Sequence, residues 1–219
     1  MHRLKRLLSM AFVLGVLPSA TALAAEPGIS GRVVGPDGKG IAEAVVFVQS
    51  PVDSASAPTR SRAAMDQVNK TFVPGLLPIV VGTEVRFPNH DQIHHHVYSF
   101  SRTKTFELPL YKGQDARPVL FDKLGAVTIG CNIHDWMSGV ILVLPTGHYA
   151  VTDENGRFTL AGLPAGAYTV AAWHARRRGK LEETAQQVQL AATTPEITFT
   201  LALEPARNRP AIHGSRRTP

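Results

Sequence analysis

The sequence predicts an all-β protein. Short runs rich in Val, Ile, Thr and Phe recur along the chain, separated by turns that contain Gly, Pro, Asp or Asn. The 18 Gly and 16 Pro among 219 residues are spread out rather than periodic, which excludes a collagen-like chain. Only residues 181–191 suit a helix, and residues 188–190 within them suit a strand equally well. This length permits one large domain or two small ones.

The first 24 residues are typical of a secretory signal peptide. A basic start is followed by the apolar run 7–17 and by the small residues Ala22 and Ala24 on either side of Leu23. That run is too short to span a bilayer, and no other apolar stretch is long enough to do so. We therefore expect an exported, periplasmic protein without stable membrane insertion.

The net charge of +6 gives little evidence for a nucleic-acid partner. Three of the basic residues lie in the signal peptide, so +3 remains after cleavage. Much of that excess positive charge lies in residues 176–180 and in the Pro-rich tail 204–219. We expect the tail to be disordered. The nearly neutral body of the protein argues against nucleic-acid binding.

The predicted strands follow in chain order. Residues 29–34 and 44–48 flank an Asp-Gly turn and suggest a hairpin, and the small polar residues 50–64 suggest a loop or linker. Further β-rich runs are predicted at residues 71–81, 83–87, 97–100, 119–121, 127–131, 139–144, 157–160, 168–173 and 197–203. Many short strands at this spacing favour sandwiches or barrels.

The single cysteine is the most informative residue. It excludes an intramolecular disulfide and a four-cysteine zinc site. Cys131, His134 and Met137 follow one another at intervals of three residues. An upstream loop carries four histidines, namely His90, His94, His95 and His96. One thiolate, two imidazoles and a thioether form the ligand set of a type 1 copper site. The spacing does not decide which of the four upstream histidines is the second imidazole ligand.

The segment 65–145 resembles a cupredoxin of the plastocyanin and amicyanin type. The resemblance lies in residues 72–74, 80–89 and 121–131 and in the short ligand loop 131–137. The segment also resembles exported cupredoxin-like proteins that are labelled methylamine-utilisation proteins. It implies a Greek-key β-sandwich, assigned here to residues 60–145, that holds one copper ion. It also implies a redox protein as partner, such as a quinoprotein dehydrogenase or a c-type cytochrome.

The resemblance further implies a role for each candidate ligand. Cys131 supplies the thiolate, His95 and His134 supply the equatorial nitrogens, and Met137 is the axial ligand that tunes the potential. His134 would also be the port for electrons. His94 and His96 remain alternatives to His95, and His96 stands where the family usually has an Asn that braces the ligand loop.

A second module surrounds the first in sequence. Residues 31–46 resemble the opening of a carboxypeptidase regulatory-like, transthyretin-like β-sandwich, whose continuation reappears at 150–160 and 163–170. We therefore expect a split sandwich of residues 25–50 plus 146–203. The cupredoxin would be inserted between its second and third strands.

These patterns together predict an exported type 1 copper protein that carries single electrons and is not an enzyme. One alternative is a periplasmic copper carrier or storage protein. Another is a non-redox β-sandwich binding protein with a vestigial copper site. A multicopper oxidase or nitrite reductase needs further histidines, and His148, His174 and His213 are too scattered to suggest them.

Overall fold

The computed structural model describes residues 28–51, 61–113, 116–191 and 196–205. The predicted signal peptide and the tail beyond Pro205 lie outside these residues. The described chain is all-β, as the sequence predicts, apart from a 3-10 helix at Leu181–Thr184. None of its helices is long and apolar enough to cross a membrane.

Seventeen strands are formed by the described residues. The first two are β1 (Ile29–Val34) and β2 (Val45–Ser50). The next ten are β3 (Arg62–Ala64), β4 (Asp66–Val68), β5 (Thr71–Val73), β6 (Leu76–Val80), β7 (Thr83–Arg86), β8 (His95–Ser101), β9 (Lys104–Tyr111), β10 (Val119–Phe121), β11 (Gly125–Cys131) and β12 (His134–Leu144). The last five are β13 (Tyr149–Val151), β14 (Arg157–Leu160), β15 (Gly166–Trp173), β16 (Gln186–Leu190) and β17 (Ile197–Thr200).

Strands β3 to β12 pair among themselves. They form a five-stranded sheet in the order β6-β12-β11-β8-β9, a three-stranded sheet in the order β10-β7-β3, and the hairpin β4-β5. Alternation along β11 directs Val127, Ile129 and Cys131 to the buried face. The thiol is thus directed into the core by the same periodicity that buries its two apolar neighbours.

The two N-terminal strands pair with the C-terminal ones. Strand β2 lies between β13 and β15 in a four-stranded sheet, and β1 lies between β14 and β17 in a three-stranded sheet. Among the described residues, no strand pairing joins β1 or β2 to the strands from β3 to β12.

Three buried layers of side chains separate the four larger sheets. The first layer packs β1, β14 and β17 against β2 and β15, and the third packs the five-stranded sheet against β7 and β10. The middle layer joins the two halves and consists of Val45, Phe47, Leu142, Leu144, Ala171 and Trp173. Successive residues of β2, β12 and β15 therefore enter different cores, because each of these strands is covered on both faces.

The structure corrects three expectations about local structure. The Asp-Gly turn forms between Gly35 and Lys39, but its flanking strands enter different sheets and share only the bridge between Val34 and Gly40. Residues 62–64, assigned to a linker, form β3. The sequence pattern does not predict the Pro-containing strand β9, because it is an edge strand with several exposed residues and lacks a strong apolar pattern.

Candidate metal centre

Three of the predicted ligands converge at one end of the five-stranded sheet. The Sγ atom of Cys131 lies 3.9 Å from Nδ1 of His95 and 3.6 Å from Nδ1 of His134. One donor atom from each residue lies within 4.8 Å of the other two. Among the residues that the structure describes, this is the one His, Cys, Asp and Glu cluster with such geometry.

Strand ends hold these side chains together. Cys131 is the last residue of β11 and His134 the first of β12, and the two residues are paired across the tight turn between them. The pairing register shifts between Gly130 and Cys131, as in a β-bulge, which re-aims the side chain at a strand end. His95 begins β8, the neighbour of β11.

Met137 lies in the same core as Cys131. It is 2% exposed and belongs to the same buried layer as Cys131. Both residues also line one cavity of about 440 Å³ on the sheet. Strand β12 therefore carries two candidate ligands, one partly exposed at its start and one buried three residues later.

Asp91 orients the His95 imidazole, a role that the sequence did not reveal. The Oδ2 atom of Asp91 lies 2.8 Å from Nε2 of His95, a side chain with 0% exposure. The carboxylate accepts this ring N–H, which leaves Nδ1 unprotonated on the side of Cys131. A neutral imidazole with its free nitrogen directed at the cluster is the form that binds a metal.

The Asp91 carboxylate is itself held by backbone donors. It accepts the amide hydrogens of Asn69 at 2.7 Å and Lys70 at 2.8 Å. Burial raises the pKa of Asp91, but the hydrogen bonds from Lys70, His95 and Asn69 outweigh it, so the pKa is lowered. The carboxylate therefore remains charged beside the imidazole at neutral pH.

His134 stands at the solvent edge of the cluster. Burial, followed by the charges of His95 and Lys70, lowers its pKa, which favours the neutral imidazole that a metal requires. Its ring centroid lies 5.0 Å from that of His95 and 5.5 Å from that of Trp136, which is 40% exposed. Ile133, beside it in the turn, is also exposed.

The other loop histidines lie apart from this cluster. His90 faces Asp66 at 3.5 Å on the surface, and His94 is exposed. His96 is buried, and its Nε2 lies 2.8 Å from Oε1 of Glu107. The strand pairing is irregular between His95 and Val97, and of the two neighbouring histidines His95 is the one that lies in the cluster with Cys131.

Residues other than His96 brace the loop that carries the histidines. The Asn89 side chain donates to the carbonyl oxygens of Ile93 at 2.8 Å and Tyr111 at 3.1 Å. Gln67 donates to Tyr111, whose hydroxyl donates to the carbonyl of Phe87. Burial is the main reason that the pKa of Tyr111 rises to about 12. Sequence spacing gives no sign of this network, since its members come from three separate segments.

The donor set fits copper. A buried cysteine sulfur and two imidazole nitrogens, with a thioether in the same core, combine soft and intermediate ligands of the kind that select copper. The fixed tautomer of His95 supports this fit, since the metal-facing nitrogen is free without rearrangement.

Comparisons with known proteins give likenesses to two families. The model of the carboxypeptidase regulatory-like domain matches residues 137–203. No curated protein sequence matches the chain.

Several solved structures are similar to the central part. A purple cupredoxin from Nitrosopumilus maritimus shares 25% identity at a TM-score of 0.33, covering 38% of this chain and 98% of its own. A reduced amicyanin mutant shares 21% identity at a TM-score of 0.35, covering 46% and 98%. A copper-containing nitrite reductase from Thermus scotoductus SA-01 shares 26% identity at a TM-score of 0.36, covering 44% of this chain and 27% of its own. The chain is similar to cupredoxins and, over residues 137–203, to the carboxypeptidase regulatory-like domain.

Proposed function

We propose that this protein is an exported type 1 copper protein that carries single electrons between redox proteins. The observation that carries the proposal is the convergence of His95, Cys131 and His134 on one point, with donor atoms within 4.8 Å of one another. Copper bound there would alternate between Cu(I) and Cu(II) and so accept and release one electron.

The residues of the chain would have distinct tasks in this function. Cys131 supplies the thiolate, and His95 and His134 supply nitrogens from neutral rings. Met137 is the candidate fourth ligand, supported by its burial in the same core. Since the ligands come from paired strands and a tight turn, their positions would change little between oxidation states, which favours fast electron transfer.

His134 is the proposed route for electrons to and from the partner. It is the one ligand of the three in the cluster that is not fully buried. Ile133 and Trp136 present exposed apolar surface around it. A redox protein that docks there would reach the imidazole edge directly, and the masking of apolar surface would stabilise the transient complex.

We also propose the domain division predicted from the sequence. Residues 25–50 plus 146–203 would form the split sandwich and residues 60–145 the inserted copper module. The pairing of β1 with β14 and β17, and of β2 with β13 and β15, supports this division. Periplasmic location is proposed from residues 1–24.

A copper titration tests the function. The full chain and the Cys131→Ser variant are titrated with Cu(II) and followed by visible and electron paramagnetic resonance spectroscopy, with His90→Asn as a matched control outside the cluster. We expect intense visible absorption and a reversible potential in the wild type and the control only. Identical spectra in the serine variant would refute the site.

The same titration separates electron transfer from copper carriage. A carrier or storage protein releases its metal readily, so rapid loss of copper to a competing chelator and a colourless site would favour that alternative. Failure to take up copper in either oxidation state would favour the binding protein with a vestigial site.

A further inference from the structure

A cleft of about 920 Å³ lies where the two halves of the chain meet. One wall comes from residues 35–43, 174–176, 201 and 203, and the other from residues 71–76 and 138–140. None of the four candidate metal ligands is among the described residues that line it. Its volume is in the range of small-molecule sites, which often lie between domains.

The walls of the cleft are partly apolar, through the half-buried residues Leu76, Val140 and Leu203. Two of the charged groups at its edge already have partners. Lys39 lies 3.4 Å from Asp37, and the Arg176 guanidinium donates to the backbone carbonyl of Glu204 at 3.0 Å. The cleft carries charges of both signs, Lys39 and Arg176 against Asp37 and Glu43, so charge alone does not define its ligand.

His174 offers a directed hydrogen-bond donor in this cleft. It is 7% exposed, and its Nδ1 accepts the amide hydrogen of Arg176 at 3.1 Å. In the neutral ring the proton is therefore on Nε2. No other described residue accepts a hydrogen bond from this ring, so the Nε2 hydrogen can serve a ligand.

Glu43 offers the complementary acceptor. Its backbone has a φ of 57°, a left-handed conformation that residues other than glycine rarely adopt. The conformation is held by Thr152, whose carbonyl accepts the Glu43 amide at 3.2 Å and whose hydroxyl accepts the Ala44 amide at 2.9 Å. Glu43 and His174 both line the cleft, and the charge of Glu43 tends to raise the pKa of the ring. Held strain of this kind is typical of ligand sites.

We propose that this cleft binds a small uncharged molecule with an apolar body and a hydroxyl group. The hydroxyl oxygen accepts the Nε2 hydrogen of His174 and the hydroxyl donates to the Glu43 carboxylate. The apolar body packs on the wall that contains Leu76 and Val140. One hydroxyl thus satisfies both polar groups, which neither a hydrocarbon nor an ether can do. The site does not depend on copper.

Calorimetric titration of the full chain with phenol, cyclohexanol and anisole tests the proposal. Phenol and cyclohexanol both carry a hydroxyl group. Tighter binding of phenol would indicate an aromatic ligand, and tighter binding of cyclohexanol an aliphatic one. Anisole has the shape of phenol with a methyl group in place of the hydroxyl hydrogen. We expect the better hydroxyl compound to bind at least tenfold more tightly than anisole. Equal binding of anisole, or no binding of either hydroxyl compound, would overturn the proposal.

Two variants locate the binding in the cleft. Gly75 lines the cleft, its φ is not positive, and a Cβ atom added there would meet nothing within 4 Å. Gly75→Leu should therefore place a bulky side chain in the cleft and weaken binding at least tenfold while the melting temperature is kept. Glu43→Gln should weaken binding about tenfold, whereas Glu154→Gln, at an exposed turn outside the cleft, should not. Unchanged binding in Gly75→Leu or in Glu43→Gln would contradict the assignment.

Discussion

Replacing Asp91 by Asn removes one charge and keeps the shape of the side chain. The carboxylate accepts three hydrogen bonds, from the amides of Asn69 and Lys70 and from Nε2 of His95, at 2.7, 2.8 and 2.8 Å. An amide has only one oxygen, so its NH₂ group must face at least one of these donors. Asp91→Asn therefore leaves a donor opposite a donor in a largely buried place.

The expected loss of stability follows from this count. A hydrogen bond to a charged group contributes about 1.5–3 kcal/mol, and an unsatisfied buried donor costs about 1–3 kcal/mol. Since one or two of the three bonds are lost, the free energy of unfolding of the metal-free protein should fall by about 2–4 kcal/mol. The Asp91 side chain is only 14% exposed, so solvent screens this loss little.

The variant should also bind copper less tightly. Without the carboxylate, the His95 ring is free to carry its proton on Nδ1, the nitrogen that faces Cys131. Loss of a group that orients a metal-binding histidine typically weakens affinity about 10–100-fold. The same range is expected here.

Urea unfolding of the metal-free protein and competition titration with Cu(I) measure the two effects. Asp66→Asn is the matched control, because Asp66 faces His90 at 3.5 Å with both side chains exposed. An exposed pair contributes at most about 1 kcal/mol, and this one is remote from the cluster. If Asp91→Asn loses stability but keeps its copper affinity, Asp91 only braces the loop and the argument about the His95 tautomer is wrong.

Three further predictions concern the rest of the fold. Trp173→Ala should lower the free energy of unfolding by about 3–5 kcal/mol in urea titrations, because it empties the middle core. Burial and the charge of Arg176 lower the pKa of His174, so its contribution to stability is complete above pH 6.5 and is lost as the pH falls below it. His174→Gln should therefore flatten the fall in melting temperature from pH 7 to 5; an unchanged slope would contradict this. Gly31→Ala places a Cβ in severe overlap with the carbonyl oxygen of Ile197, so circular dichroism melts should show a lower melting temperature.

The candidate ligands were predictable because their chemistry is local in sequence. Cys131, His134 and Met137 lie within seven residues, and alternation along β11 decides that the thiol faces the core. Asp91 could not be predicted in the same way. Its carboxylate matters only because the loop after β7 folds back over the turn between β4 and β5, and that contact joins residues far apart in the chain.

For the fold, too, local features were predictable from the sequence and contacts between distant residues were not. The all-β class follows from short β-rich runs and turns, which are local signals. The partners of β1 and β2 lie more than 100 residues away, and an Asp-Gly turn between them suggests a hairpin instead. The turn itself forms as predicted, with Gly38 at a φ of 77°. The strands on either side of it do not pair with each other, because each is buried in a different layer.

Strand β12 joins the candidate metal centre to the second module. It begins at His134 and carries Met137. Farther along, Ile141 faces the core that contains Cys131, while Leu142 faces the core shared with the other half. A strand packed on both faces has little freedom to shift, so docking of the second module restricts movement of two candidate ligands. We infer that the proposed split sandwich, to which no chemistry is assigned at the metal, would support the rigidity that the proposed single-electron transfer requires.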